Sequence, residues 1–378
     1  MSISEEKIRQ INREAPLTDV HAHPSVKAFM FHRNLWRHYC SGKTLNPMSS
    51  RSDFKTLKEG DVGVIWASHF LPQRGFFKDC FWIRMSAKLF LPGYSQLVTG
   101  AFMPHLLEMM DRFEREVNRK PGLIEVAGSA TEVTRIREAG KIAVVHTVEG
   151  AHVLDGDIEN LDILAQRGVA LLTLSHFYPN DVASHVHAMP KNMFIRKICK
   201  FDFQTEGDPP LTDFGKEVLK KMSQLKMIVD LAHCPPKARA AVYSELASDR
   251  PVAATHMGVT KYHPHPYNLD DDDIREISRR GGAIGIMFMS STLDQTNPKK
   301  GLPTVWKTIE HIHKVTGSWD HIMLGTDFDG FTDPPDDVYK ASQLGRVTGM
   351  LLEQGVEEAN VKKIIGQNAQ RLLDKGWK

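Results

Sequence analysis

The sequence predicts an α/β fold, a (β/α)8 (TIM) barrel with long insertions, and three observations carry that expectation. Eight short apolar runs recur along the 378 residues, helical patterns separate most of them, and similar polar residues stand at the C-terminal end of one run after another. The runs are LTDVHA (17–22), VGVIWAS (62–68), IAVVHTV (142–148), VALLTLS (169–175), MIVDLA (227–232), PVAAT (251–255), AIGIMF (283–288) and IMLGT (322–326). Their near-continuous apolar character suits parallel strands covered on both faces. Strands alternating with helices suit a barrel. A doubly wound open sheet is the competing architecture, but no G-x-G-x-x-G follows any run.

The helices follow from their periods. Leu106, Met110, Phe113 and Val117 recur on one face, as do Phe214, Val218, Met222 and Leu225. In DDDDIREISRR, acid fills the first turn and arginine the last, matching the helix dipole. Three stretches exceed ordinary loops and are expected as insertions after strands 1, 2 and 4: residues 24–60, 70–104 and 177–212. The aromatic segment FFKDCFWIRMSAKLFLPGY is open to three readings: a lid, an oligomer surface, or packing on the barrel's outside. With no internal repeat, residues 1–378 are expected to form a single barrel domain, and a homo-oligomer is left open.

Hydrophobic residues make up 41% and charged residues 25%, ordinary for a globular protein. A formal net charge of +2 points to neither nucleic acid nor membrane as a partner. Cys40, Cys80, Cys199 and Cys234 form no C-x-x-C pair, so free thiols in a reduced compartment are expected. MSISEEKIRQINREAP lacks the apolar core of a signal peptide, and no stretch is apolar enough to span a bilayer. A cytoplasmic location is the expectation.

Catalytic residues of a barrel collect at the C-terminal strand ends. Those ends carry His21 and His23 (strand 1), Glu149 (strand 3), His176 (strand 4), His233 (strand 5), His256 (strand 6), and Asp327 and Asp329 (strand 8). Residues i and i+2 of a strand share a side, so His21 and His23 converge on one ion. His233 and His256, from adjacent strands, converge on a second, with Glu149 bridging the two. Imidazoles with carboxylates suit zinc or a similar divalent metal. A lone His-x-His is ordinarily unremarkable; repetition at one end of so many strands is what points to metal. The remaining histidines are assigned elsewhere. His311 and His313 are expected to be solvated, His185 and His187 lie in a long loop, His263 and His265 are expected as loop structure or substrate wall, and His152 as loop support.

Around these residues the chain resembles the membrane (renal-type) dipeptidase family, peptidase family M19, of the amidohydrolase superfamily. The resemblance rests on VEGAHVLDGDIENLDILAQRGVALLTLSH, DFGKEVLKKMSQLKMIVDLAHCPP, PVAATHMGV, NLDDDDIREISRRGGAIGIMF and HIMLGTDFDG, in family order from about residue 130 onward. Nearer the N-terminus only the first strand and EGDVGVIWAS match. It implies a zinc-dependent hydrolase that cleaves the amide bond of dipeptides or related small amides through a hydroxide shared by two Zn2+ ions. His21 resembles the first ligand of the first ion, Glu149 the bridging carboxylate, and His233 and His256 the ligands of the second. His176 resembles the histidine that contacts the substrate and polarises its carbonyl, and Asp327 the proton carrier.

Two positions depart from the family pattern. His23 stands where relatives have aspartate, which removes a negative charge and leaves room for Asp327 as a further metal ligand. Tyr267, beside Asn268, stands where an arginine is expected to hold the substrate's carboxylate; a phenol offers one hydrogen bond and no charge. Tyr267 and Asn268 are therefore expected at the substrate. Asp19 and Asp230 are candidates to orient imidazoles. The competing readings are a TatD-like or phosphotriesterase-like phosphoesterase or lactonase with the same metal site, and a non-catalytic binding protein.

Overall fold

The computed structural model describes residues 3–39, 42, 48–186, 199, 208–289, 293 and 301–378. Nine strands form one parallel sheet: β1 (Leu17–Ala22), β2 (Val62–His69), β3 (Ile124–Ala127), β4 (Ile142–Glu149), β5 (Val169–Thr173), β6 (Ile228–Asp230), β7 (Val252–Met257), β8 (Ala283–Ile286) and β9 (Ile322–Leu324). The path runs β1-β2-β4-β5-β6-β7-β8-β9, eight strands that roll into a (β/α)8 barrel. β3 corrects the expectation of eight: it pairs with β4 along Ile142–Val145, on the edge where β5 continues along His146–Glu149.

The first and last strands meet at a parallel bridge between Ala22 and Phe328. His23 N donates to the Phe328 carbonyl and Asp327 N to the His21 carbonyl, both at 2.8 Å. Inside the barrel, Val20, Val64, Trp66, Ala143, Val145, Ala253, Ala283 and Met323 form one apolar cluster; the larger core lies between strands and helices. The expected helical faces are there. Leu106, Met110, Phe113 and Val117 are buried along helix Phe102–Val117, and Asp270 caps helix Asp271–Arg279 in a capping box.

The insertion after β1 is tied down by two buried carboxylates. Glu116 accepts from Leu35 N at 3.0 Å, and its carbonyl accepts from Trp36 Nε1 at 2.9 Å. Asp329, which follows β9, accepts from Arg51 N at 3.0 Å, Ser52 N at 2.9 Å and Ser52 Oγ at 2.6 Å. Asp329→Ala strands these donors in the interior and is expected to cost about 3 kcal/mol in urea unfolding.

Two further expectations are corrected. Cys80 and Cys199 form a disulfide across 119 residues, with Cα atoms 4.7 Å apart; Cys234 is a buried free thiol and Cys40 lies outside the described residues. The free-thiol argument for a cytoplasmic location thus loses its support. Of the three readings left open for the aromatic segment, packing on the barrel's outside does not hold for helix Phe81–Phe90, where Phe81, Trp82, Met85, Leu89 and Phe90 are exposed. Nor is His311 solvated; it is buried with Nε2 2.8 Å from Asp271 Oδ1, and His313 stacks on Trp319. Among the described residues no helix is long and apolar enough to cross a membrane.

Candidate functional site

Glu149 ends β4 inside the barrel mouth, and five imidazoles surround its carboxylate. Oε1 lies 3.5 Å from His21 Nε2, 3.2 Å from His233 Nε2 and 3.4 Å from His256 Nε2. Oε2 lies 3.5 Å from His23 Nε2 and 3.8 Å from His176 Nε2. Asp327 Oδ1 approaches His23 Nε2 at 3.1 Å. All seven residues are buried. Every expected metal residue is therefore gathered at one point.

The backbone is bent to achieve this. His233 and Asp327 both adopt positive φ, at 64° and 58°, a conformation costly for side-chain-bearing residues and frequent at functional sites. The register of β1 slips between Asp19 and Ala22, and that of β7 between Ala254 and Met257, on either side of His21 and His256. Such irregularities re-aim side chains.

Donor atoms at the centre form three overlapping groups: His21, His23 and Asp327; His21, Glu149 and His256; and Glu149, His176 and His233. The expected pairing of His233 with His256 is present as a 3.1 Å approach of their Nε2 atoms. His176 joins the donor set as well. Asp327 shares the first of these groups with His21 and His23.

The residues fit a divalent metal. Bonds of about 2.0–2.1 Å in a tetrahedral zinc site place neighbouring ligand atoms roughly 3.3–3.4 Å apart, close to the spacings here. His21 Nε2 is buried without a hydrogen-bond partner, a cost that a cation removes. Ligation needs neutral imidazoles and ionised carboxylates; the shifts of Glu149, His176 and His256 run that way, and that of His21 runs against it. Burial pushes Glu149 upward, but the imidazoles, His176 and His21 first, outweigh it and hold the carboxyl well below its usual range. Burial pushes His176 and His256 well below the ordinary histidine value. His21 is raised: burial lowers it, and Glu149 more than offsets that.

Most of the rings are held from behind; among the described residues His233 is the exception, its Nδ1 buried without a hydrogen-bond partner. His23 Nδ1 donates to the Ser68 carbonyl at 3.1 Å. His176 Nδ1 sits 3.3 Å from Gln73 Oε1, whose amide is fixed by Tyr178: Gln73 Nε2 donates to the Tyr178 carbonyl and Oε1 accepts from Tyr178 N. Gln73 was not anticipated, because a lone glutamine carries no sequence signal of such a role. Phe70 and Phe177 wall His176, with ring centroids 4.4 and 4.3 Å away.

The expected substrate residues sit differently. Tyr267 is fully buried; its hydroxyl donates to the His256 carbonyl at 2.5 Å and its ring packs edge-on against His233 at 5.1 Å. Asn268 bridges its own loop, accepting from Gly258 N and donating to the His263 carbonyl. Both hold the backbone at and after His256. His265 Nδ1 accepts from Tyr267 N, and His152 Nε2 meets the Leu71 carbonyl, as expected of loop supports. His185 is buried, and His187 lies outside the described residues. Asp19 holds Thr326 through Oγ1 at 2.6 Å rather than touching an imidazole.

Comparison with known proteins agrees with this geometry. A curated dipeptidase, tcpJ from Claviceps purpurea, is 28% identical over 331 residues, covering 86% of this chain and 69% of its own. The fold matches a probable dipeptidase, PvdM, from Pseudomonas aeruginosa (TM-score 0.76, 18% identity, covering 98% of this chain and 99% of that one). It also matches a Rhodobacter sphaeroides metallopeptidase liganded with a phosphinate mimic of the dipeptide L-Ala-D-Ala (TM-score 0.75, 20% identity, covering 96% and 99%). The family model described as membrane dipeptidase, peptidase family M19, matches residues 5–376, and the chain belongs to that family.

Proposed function

We propose that this protein is a metal-dependent dipeptidase that hydrolyses the amide bond of dipeptides or closely related small amides, with two divalent ions, zinc by the chemistry of the donor set. The observation that carries the proposal is Glu149 with five imidazoles within 3.8 Å of its two oxygens and Asp327 beside them. Family membership and the named dipeptidase relatives support the reaction class. The alternative phosphoesterase or lactonase reading draws no support from them.

His21, His23 and Asp327 would hold one ion, His233 and His256 the other, with Glu149 between. Bound there, divalent ions supply Lewis acidity and an acidified water as nucleophile. Asp327 then takes the proton from the attacking water and returns it to the leaving amine. Its burial beside His23 Nε2 at 3.1 Å and its backbone hydrogen bond to the His21 carbonyl support that role. His176 turns Nε2 toward the centre. In its neutral form, with Nδ1–H on Gln73, that atom accepts an N–H from the substrate; only as imidazolium does it stabilise an oxyanion. Tyr267 and Asn268 shape the wall behind the second pair of ligands and carry no charge for a carboxylate.

The test is a screen of L-Xaa-L-Xaa and L-Xaa-D-Xaa dipeptides and N-acyl amino acids, with a p-nitrophenyl phosphodiester in parallel. Turnover of a dipeptide that chelator abolishes and Zn2+ restores is the expected result. Phosphodiester turnover without peptide turnover overturns the proposal.

A further inference from the structure

The hydroxyl of Thr255, one residue before His256, lies 2.9 Å from His256 Nδ1 and 3.3 Å from His21 Nδ1. Those two rings stack with centroids 3.8 Å apart. The same hydroxyl lies 2.8 Å from Asp230 Oδ2. Asp230 is surrounded by donors: Thr173 Oγ1 at 2.7 Å, Thr255 N at 2.9 Å and Ala232 N at 3.3 Å. A carboxylate accepts only, so the single hydroxyl proton of Thr255 goes to Asp230. What remains on Thr255 Oγ1 is two lone pairs, and they face two Nδ1 atoms.

We propose that Thr255 is a positioning residue for both halves of the metal centre at once. Its hydroxyl, oriented by Asp230, accepts Nδ1–H from His21 and from His256, and so fixes both rings in the tautomer that leaves Nε2 bare toward Glu149. His23 achieves the same with a backbone carbonyl. His21 and His256 share one side chain instead, so a single hydroxyl links a ligand of the first strand to a ligand of the seventh.

The fold is built to present this group. The Thr255 carbonyl presses on Gly285 of β8 and Gly325 after β9 so closely that a Cβ at either glycine would collide with it. β7 slips register at this place. The displaced backbone carries the Thr255 hydroxyl to the Nδ1 edges of His21 and His256. Neither glycine is needed for a positive φ; both make room.

The inference rests on the proposal that His21 and His256 bind metal through Nε2, and the experiment separates the two. The variants are Thr255→Val, which keeps the shape and removes the hydroxyl, and Thr255→Ser, which keeps the hydroxyl. Stepwise Zn2+ binding is measured by competition with a chromophoric chelator. In the metal-free wild-type protein, long-range 1H–15N correlations at mildly alkaline pH report the tautomer of each ring. The expected result is Nδ1–H at both His21 and His256 in the wild type, a loss of about 10–100-fold in affinity at both sites in Thr255→Val, and near-wild-type binding in Thr255→Ser. Nε2–H at either ring in the wild type overturns the inference even if the valine variant fails to fold. So does a valine variant that binds both ions normally or weakens at one site alone. Correct tautomers in a wild-type protein that takes up no Zn2+ would instead sink the metal proposal and leave the relay standing.

Discussion

Glu149→Gln is expected to lower dipeptide hydrolysis by roughly three to five orders of magnitude, about 4–7 kcal/mol of lost transition-state stabilisation. The amide has the same shape, so the effect is one of charge and of proton direction. Glu149 Oε1 faces three Nε2 atoms within 3.5 Å and Oε2 faces two more within 3.8 Å. A neutral side chain with an N–H2 group in that position cannot attract cations to both sides, and its protons point at the lone pairs that should bind them. Elemental analysis is expected to show loss of metal in parallel. Full metal content with activity within about tenfold of wild type would remove Glu149 from the centre of the mechanism.

The second large effect is expected at Asp327. Asp327→Asn keeps the size and the hydrogen bond from its backbone to His21, so the barrel seam survives. It removes the base, and kcat is expected to fall about 10²–10⁴-fold, the usual worth of general acid–base catalysis. With metal content restored to the wild-type level, KM should change far less, because the group then acts on the proton rather than on substrate binding. Steady-state kinetics on one dipeptide decides it. A rise in KM with kcat unchanged would assign Asp327 to substrate binding instead.

Much of this was legible in the sequence, for identifiable reasons. Strand ends are readable because apolar runs stop at polar residues, and seven of those residues meet at the centre. β3 was hidden because Ile124–Ala127 is four residues long and carries Glu125, which faces Lys141 and Arg135. The disulfide was unreadable because its cysteines lie in two different insertions, 119 residues apart. His311 was misjudged because its partner, Asp271, comes from another helix. Tyr267 was singled out for what it lacks, a charge; that its hydroxyl ends on the carbonyl of a metal-site residue is a fact of the folded loop. Thr255 and Gln73 left no mark, since an uncharged polar residue gains its meaning only from what surrounds it.

The seam between the first and last strands also bears on how the protein is made. Asp19 bonds Thr326 across a separation of 307 residues, next to where His23 and Asp327 come together. Contacts so distant in sequence close late, after the intervening strands are in place. A ribosome delivers His21 and His23 early and Asp327 near the end of this sequence. During synthesis, therefore, the first histidines wait without their partner, and the proposed metal cage is complete only on a barrel that has already closed. On that proposal, loading with metal becomes a test of finished folding, and a nascent or truncated barrel has no complete cage with which to take up the ion.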